Sequence, residues 1–279
     1  MIWETARRPL DLSTKGVIMG ILNVTPDSFS DGGKFLDAGA AVSQALKMAE
    51  EGAEIIDVGG ESTRPGAVSI STEEELRRVL PVIRELRKRT ETLISIDTSK
   101  AEVARAAIEE GVDILNDVTA FRGDVGMLKV AAESTVGVVI MHMQGTPQTM
   151  QQNPHYEDVT EEVGNFLRQK TAAAVASGVI LNRIVVDPGI GFGKTLAHNL
   201  RLLQSLEAFA ERPVLVGYSR KSFIGKLIGT DAMEERFWPG VALTACCRTR
   251  GVRIFRTHEV KADFEALRMT EAILEVPAL

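Results

Sequence analysis

The residues of this sequence that could do chemistry stand at regular places, each at or just after the end of a short apolar run. They accept or donate hydrogen bonds, titrate or carry charge, and they are Asn23, Asp57 with Glu61, Asp97, Asn116 with Asp117, His142, Asp187, Ser219 with Lys221, and Arg256 with His258. Carboxylates and amides bind polar ligands through hydrogen bonds, whereas Arg and Lys bind anions. Such residues at the end of every run predict one shared binding site rather than scattered surface polarity.

Spacing disfavours several other chemistries. The four histidines do not have the separations of zinc ligands. The stretch DPGIGFGKT is similar to a phosphate-binding loop, but Pro188 stands where that pattern needs its first glycine. Lys221 could form a Schiff base, yet its place in SRKSFIG at the start of a predicted helix favours a hydrogen-bond donor.

Eight apolar runs precede these residues and predict buried strands. They cover residues 17–22, 55–58, 93–96, 114–115, 136–141, 184–186, 214–216 and 252–255, with helical spacing between them. Capping boxes formed by Thr72 with Glu75 and by Ser99 with Glu102 predict the starts of two helices. Alternation of this kind predicts an α/β fold, a closed (βα)8 TIM barrel in preference to an open doubly wound sheet. We expect one domain over residues 1–279, with its active site at the C-terminal ends of the strands.

Composition limits the class of protein. The 279 residues are 44% hydrophobic and 25% charged, which suits a folded chain with a large core. A net charge of -6, without an arginine-rich stripe, argues against a nucleic-acid partner. The two cysteines are adjacent, so they cannot build a disulfide framework. No run reaches about 18 apolar residues. We therefore expect a soluble, cytoplasmic protein with no membrane partner.

Three glycine-rich segments after strands are long enough to act as lids. They are NVTPDSFSDGG after the first predicted strand, GGESTRPGAVS after the second, and residues 144–158 after the fifth. Long loops at strand ends commonly carry binding residues. The first two segments also hold Asn, Asp, Ser, Thr and Arg close to a strand end, which predicts that they close over a ligand.

Eight segments, in order and over nearly the whole chain, resemble the successive signatures of the dihydropteroate synthase family. They read LNVTPDSFSDGG, EIIDVGGESTRPG, ISIDTSK, LNDVTAFRG, MHMQGTPQTMQ, VVDPGIGFGK, GYSRKSFIG and FRTHEV. The first two are highly specific. Glu259 stands where the family more often has Asp, and the helix with Cys246 and Cys247 is bulkier than usual. Neither departure changes a residue that the resemblance assigns to the site.

The resemblance implies a transferase of folate biosynthesis. The family condenses 6-hydroxymethyl-7,8-dihydropterin diphosphate with p-aminobenzoate to give 7,8-dihydropteroate and pyrophosphate. It implies a catalytic set of Asp97, Asn116, Asp187, Lys221, Arg256 and His258. The implied pterin site consists of Asp97, Asn116, Met141, Asp187, Phe192, Gly217 and Lys221. A carboxylate at Asp187 suits the donor edge of a 2-amino-4-oxo pterin, because it can accept two hydrogen bonds.

The other substrate groups are assigned by the same resemblance. The implied diphosphate site consists of Asn23, Arg256 and His258. Mg²⁺ is the implied cofactor, and Asn23 is the residue that would coordinate it. The implied p-aminobenzoate site consists of Phe29, Thr63, Arg64, Pro65, Phe192, Lys221 and Ser222. Ser222 is expected at a helix N-terminus, where backbone N–H groups favour a carboxylate. The partners implied are these small-molecule substrates and a second copy of the chain in a homodimer.

Two alternatives stay open at this point. A pterin-binding methyltransferase barrel that uses methyltetrahydrofolate would share the acid and amide contacts to the pterin. It would not need Asn23, Arg256 and His258 for a diphosphate, nor the segment GESTRPG. A non-catalytic pterin-binding protein would release no pyrophosphate, so a pyrophosphate assay separates it from an enzyme.

Overall fold

The computed structural model of the chain describes residues 1–25 and 34–276, with the backbone alone for 34–37. Its strands are β1 (Ile2–Trp3), β2 (Leu10–Asp11), β3 (Val17–Asn23), β4 (Ala53–Gly59), β5 (Leu93–Asp97), β6 (Ile114–Asp117), β7 (Gly137–Met141), β8 (Ile184–Asp187), β9 (Leu215–Gly217) and β10 (Ile254–Thr257). Its helices are α1 (Lys34–Glu50), α2 (Thr72–Arg89), α3 (Ala101–Glu109), α4 (Met127–Glu133), α5 (Val159–Ala176), α6 (Leu196–Gln204), α7 (Ser222–Ile228), α8 (Phe237–Thr249) and α9 (Val260–Leu274).

Strands β3 to β10 form one parallel sheet. Their order is β8, β7, β6, β5, β4, β3, β10, β9. A parallel bridge between Val186 and Val214 joins β8 to the segment before β9, so the sheet curls back on itself. A large apolar cluster includes side chains of both the strands and the surrounding helices. The predicted TIM barrel is confirmed. No helix in the described ranges is long and apolar enough to cross a membrane.

Side-chain alternation decides which residues face the barrel interior, because residues two apart in a strand share a face. One buried apolar cluster draws on all eight barrel strands through Val17, Met19, Ile55, Leu93, Ile114, Val139, Val185, Leu215 and Ile254. Two residues after Ile55, Ile114, Val185 and Ile254 come Asp57, Asn116, Asp187 and Arg256. The apolar layer is thus the floor beneath a polar mouth at the C-terminal ends of the strands.

An antiparallel pair of short strands, β1 and β2, lies outside the barrel sheet. Trp3, Leu10 and Leu12 join the interior apolar cluster, and the fully buried Trp3 donates from Nε1 to the carbonyl of Arg183 (2.9 Å). The sequence pattern predicts no element here. Strands of two residues are too short to show a periodic pattern, so only the tertiary contacts define them.

The predicted N-cap of α2, Thr72, is wrong by one residue. The N-cap is Ser71, whose Oγ accepts from the backbone N–H of Glu74 (3.2 Å), and Thr72 is already helical. The sequence offers two overlapping boxes, Ser71 with Glu74 and Thr72 with Glu75. Glu75 is fully buried and bonded to Lys100, so it does not serve as a capping group.

The predicted capping box of α3 is wrong. The N-cap is Lys100, without a side-chain cap bond, rather than Ser99. The first N–H of the helix, that of Ala101, donates instead to Oδ2 of Asp124 (2.9 Å). A carboxylate from 23 residues further along the chain therefore does the work that the local pattern assigned to Ser99.

Candidate active site

A guanidinium held by two carboxylates lies at the barrel mouth. Arg256 donates from Nε to Oδ2 of Asp57 (2.6 Å) and from Nη2 to Oδ2 of Asp97 (2.7 Å). Asn116 donates from Nδ2 to the same oxygen of Asp57 (3.1 Å). A guanidinium has five N–H groups, so three remain for a ligand. These contacts fix the orientation of Arg256 before any substrate binds.

Burial governs the titration of this group. It raises the pKa of Asp97 to about 7, with Arg256 opposing the shift and Asp57 adding to it. Burial also works against the charge on Arg256, but the two carboxylates outweigh it and raise the pKa of the guanidinium. The Oδ1 atoms of Asp57 and Asp97 are buried without a hydrogen-bond partner among the described residues. Unpaired buried acceptors are costly, so these two oxygens point to a ligand with N–H donors.

Asp187 and Lys221 form a second polar group. Asp187 is 5% exposed at the end of β8, and its Oδ1 accepts from the backbone N–H of Gly189 (2.7 Å). Burial raises the pKa of this carboxyl while Lys221 lowers it. The Lys221 Nζ donates to the carbonyl of Ile190 and lies 4.4 Å from the centre of the Phe192 ring. Burial lowers the pKa of Lys221 to about 7 in spite of Asp187, so the amine exchanges its proton near neutral pH.

An apolar wall adjoins the polar groups. Its members, Val118, Met141, Met143, Met150 and Phe192, pack against one another at the ends of β6 and β7 and in the segment after β8. Ligand sites commonly combine such apolar surface with a few placed hydrogen-bonding groups. The arrangement suits a flat heterocycle whose edges are polar and whose faces are not.

His258 lies in a strongly positive environment. Its Nδ1 is 3.1 Å from Oγ of Ser219, and its backbone N–H donates to the same oxygen (3.2 Å). Burial lowers the pKa of His258 to about 3, aided by the charges of Arg220, Arg256, Arg64 and Lys221. The imidazole is therefore neutral at pH 7 in the free protein, and the surrounding cations favour a polyanionic ligand.

Comparison with known proteins decides the family. The chain matches the family described as pterin binding enzyme over residues 19–258. It is 47% identical to the dihydropteroate synthase of Escherichia coli strain K12, over 95% of this chain and 94% of that protein. The chain belongs to the dihydropteroate synthases. It is therefore an enzyme of the transferase class.

Solved dihydropteroate synthase structures share the whole fold. The Xanthomonas albilineans dihydropteroate synthase with 4-aminobenzoic acid superposes with a TM-score of 0.93, at 44% identity, covering 99% of this chain and 100% of that one. The same organism's dihydropteroate synthase in complex with 7,8-dihydropteroate gives a TM-score of 0.89 at 42% identity, again over 99% and 100% of the two chains. The resemblance drawn from the motifs is confirmed.

Most residues predicted for a dihydropteroate synthase site lie at the C-terminal ends of the barrel strands or just beyond them. They are Asn23, Asp97, Asn116, Met141, Asp187, Phe192, Gly217, Lys221, Arg256 and His258. Gly217 pairs with Arg256 in the β9–β10 register, and a Cβ at this glycine would lie 3.6 Å from the Cβ of Arg256. Asn23 and Asp97 lie near Gly59, where a Cβ would be 3.9 and 3.8 Å from their Oδ1 and Oδ2 atoms.

The residues predicted for p-aminobenzoate in a dihydropteroate synthase are less closely gathered. Thr63 lines a cavity of about 210 Å³ together with Asp97. Arg64 and Pro65 are exposed in the segment between β4 and α2, and Ser222 is the exposed first residue of α7. Phe29, also predicted for this site, lies outside the described residues. The β4–α2 segment contacts the one after β7 through the N–H of Gly66 and the carbonyl of Pro147 (3.0 Å).

Two residues at the site were not assigned from the sequence. Asp57 was noted at a strand end but given no role, although a carboxylate inside the apolar run EIIDVGG was a usable signal. Lys194 gave no signal beyond a lysine in the rejected phosphate-loop pattern. It is buried, its Nζ lies 3.0 Å from Nδ1 of His142, and it donates to the carbonyl of Phe192 (2.9 Å). Lys194 thereby fixes the backbone that carries the Phe192 ring.

Proposed function

We propose that this transferase joins 6-hydroxymethyl-7,8-dihydropterin diphosphate to p-aminobenzoate at the C-terminal ends of β3 to β10, as a step of folate biosynthesis. The products are 7,8-dihydropteroate and pyrophosphate. The observation that carries the proposal is the pair of buried acceptor oxygens on Asp57 and Asp97 that have no partner within residues 1–25 and 34–276, together with Asp187 and an apolar wall. A dihydropterin has several N–H donors around a flat ring, which matches this set. Residues 1–279 act as a single pterin-binding domain.

The pterin role of each residue follows from its chemistry. Asp187 accepts from the amino edge of the ring, and Asn116 and Asp97 serve the neighbouring ring nitrogens. Lys221, as an ammonium, donates to the ring carbonyl. Met141 and Phe192 cover the ring faces, and Gly217 leaves space beside Arg256 for the ring to approach the backbone.

The diphosphate is assigned to Arg256, His258 and Asn23. Arg256 offers the N–H groups that its two carboxylates leave unused, and His258 offers a neutral imidazole among cations that attract the phosphate charge.

Mg²⁺ fits at Asn23, a partly exposed residue with an amide oxygen at the end of β3. Among the described residues there is no group of three or more His, Cys, Asp or Glu that could hold a metal. The ion would therefore bind through Asn23 and the oxygens of the substrate. When bound, it would neutralise charge on the diphosphate.

The reaction needs no nucleophile from the protein. The aniline nitrogen of p-aminobenzoate attacks the methylene carbon of the pterin, and the bond from that carbon to the diphosphate oxygen breaks. The nitrogen loses a proton, and pyrophosphate leaves with both electrons of the broken bond. Arg256 and His258 stabilise the departing charge. The aminobenzoate is held by Thr63, Arg64, Pro65, Phe192, Lys221 and Ser222. Phe29 is assigned to the same site on its sequence motif only.

Turnover of the purified protein tests the proposal. With both substrates and Mg²⁺, we expect release of one pyrophosphate per dihydropteroate formed, and no dihydropteroate when either substrate is omitted. Binding of a bare pterin without turnover would favour a non-catalytic pterin-binding protein. Methyl transfer from methyltetrahydrofolate would favour the alternative barrel enzyme.

Calorimetry should show weak Mg²⁺ binding to the free protein and firm binding with the pterin diphosphate.

The protein should work in the cytoplasm as a homodimer formed through its late helices. Exposed apolar side chains on α8 and α9 support the second point, among them Trp238, Met269, Ile273 and Leu274. Trp238 is 73% exposed, and large apolar surface of this kind is typical of interfaces. Sedimentation should give twice the chain mass of 30.3 kDa, and Trp238→Glu should shift it to the single-chain mass.

A further inference from the structure

We propose that Lys100 is a positioning residue that ties the aminobenzoate segment, residues 60–71, to the strand that carries Asp97. The inference rests on the proposed function, because it takes Thr63, Arg64 and Pro65 of this segment as contacts of p-aminobenzoate. Lys100 acts through Glu61 and Glu75, and these three residues are called the clasp below.

Glu61 closes the segment at its base. Its Oε1 accepts from the backbone N–H of Ile70 (3.1 Å), and its carboxylate also accepts from the side chain of Ser69. The carbonyl of Gly60 accepts from Nη1 of Arg78 on α2 (2.9 Å). Both ends of the segment are therefore fixed, and the residues between them form a protruding turn.

Lys100 joins this base to two other elements. Its Nζ is bonded to Oε2 of Glu61 and, at 2.6 Å, to Oε2 of Glu75 on α2. Lys100 is also the N-cap of α3 and follows Asp97, the last residue of β5, by three positions. One ammonium thus connects the aminobenzoate segment, helix α2 and the end of the strand that bears a pterin residue.

The clasp borders the space between the two substrate regions. The cavity of about 210 Å³ that contains Thr63 and Asp97 on its walls is also lined by Glu61 and Glu75. A Cβ at Gly60 would come within 2.8 Å of Val79, so the segment packs directly on α2. Gly60 packs too closely on α2 to move. If the contacts of Glu61 are lost, the displacement should therefore occur in the turn that contains Thr63.

Charge balance alone does not explain why Glu61 takes part. The Glu75 side chain is fully buried and needs a cation, and Lys100 supplies it. That pair is already neutral, and Glu61 adds a second negative charge to it. Burial opposes the charge on Glu61, but Lys100 and Ser69 outweigh it and lower the pKa of that carboxyl. The contact from Glu61 therefore orders the segment rather than neutralises the core.

The central experiment is Glu61→Ala, which frees the segment and leaves Lys100 paired with Glu75. We expect the KM for p-aminobenzoate to rise about 10-fold, because small displacements of a positioning contact weaken the aligned complex. The KM for the pterin diphosphate and kcat at saturating p-aminobenzoate should change by less than about 3-fold. Glu61→Gln keeps a single acceptor oxygen, which can serve the N–H of Ile70 or Lys100 but not both, and should recover part of the loss.

Three further variants make the result specific. Glu85→Gln removes an exposed ion pair on the same helix α2 and should leave both KM values unchanged. The double variant Lys100→Met with Glu75→Gln removes the clasp without leaving a buried charge, and should reproduce the Glu61→Ala effect. Adding Glu61→Ala to it should then raise the KM no further, since the three residues act as one unit.

The outcomes separate this inference from the function itself. Wild-type protein without aminobenzoate-dependent turnover would overturn the proposed function. Normal turnover with equal rises in both KM values, or with no rise in Glu61→Ala, would overturn the role of the clasp alone. The role of the clasp would also be overturned if the rise in KM of Glu61→Ala followed a fall in its melting temperature and Glu61→Gln gave no recovery of KM.

Discussion

Single buried side chains set the charge of the site before substrate arrives. Asp97 and Lys221 both have a pKa of about 7, the first raised and the second lowered by burial, while His258 stays neutral. Asp97 and Lys221 can therefore gain or lose a proton on binding at small cost near pH 7. Such perturbed groups clustered at one cleft are typical of catalytic sites.

Asp187→Asn should weaken binding of a bare pterin by about 1–3 kcal/mol, because an amide N–H₂ would meet the donor edge of the ring. The bond from Gly189 to Oδ1 can survive in the amide, so the fold should persist. His258→Ala serves as the comparison, since it should weaken the pterin diphosphate and leave the bare pterin unchanged. Calorimetry with both ligands measures the difference. Equal losses of bare pterin binding in the two variants would contradict the assignment.

Lys221 should make stability depend on pH in a definite direction. Its pKa is about 7 in the folded protein and higher when unfolded, so between these values only the unfolded chain binds the proton. The free energy of unfolding therefore rises with pH above 7. Below pH 7 the amine is charged in the folded protein too, and the full cost of burying that charge lowers stability. Lys221→Met removes it, so the melting temperature of the variant relative to wild type should be highest near pH 6 and fall toward pH 10.

Lys226→Met, at an exposed position of the same helix α7, is the control for this measurement. Its melting temperature relative to wild type should not vary over the same pH range. A pH-independent difference for Lys221→Met would mean that burial does not hold this amine partly neutral.

Helix α2 connects directly to the proposed site, because its N-terminus follows the aminobenzoate segment. Ser71→Ala should cost about 1 kcal/mol of stability, since it removes the side-chain acceptor of the Glu74 N–H. Ser99→Ala should cost close to nothing, because Ser99 does not cap α3. Chemical denaturation of the two variants measures both values. A larger loss of stability for Ser99→Ala than for Ser71→Ala would contradict this assignment and would mean that Ser99 caps α3.

Over the whole molecule, the interior apolar layer separates the pair β1 and β2 from the polar mouth. Trp3→Ala should lower stability by about 3–5 kcal/mol, because it empties a fully buried position of that layer. The folded fraction should keep its kcat and both KM values, since Trp3 packs in the interior apolar layer below the polar mouth. Ile2→Ala, on the same strand but 42% exposed, is the matched control and should change stability little. A change of KM in Trp3→Ala would show that the two ends of the barrel are coupled.

The sequence by itself determined the barrel and which residues reach its mouth. Apolar runs and their two-residue alternation are local properties, so Asp57, Asn116, Asp187 and Arg256 follow directly from strand ends. The motifs around them were specific enough to imply the family. What the sequence could not supply was any pairing that depends on closure of the barrel.

Only the tertiary structure decided those pairings. Asp57 and Arg256 are 199 residues apart in sequence and meet because β10 closes against β3. The same closure leaves the Oδ1 atoms of Asp57 and Asp97 without a hydrogen-bond partner among the residues that the structure describes. Between two overlapping capping boxes it also selected Ser71, because Glu75 was drawn inward to Lys100. A window of sequence records which side chains share a face, but the partner across the barrel depends on register, burial and charge summed over the whole fold.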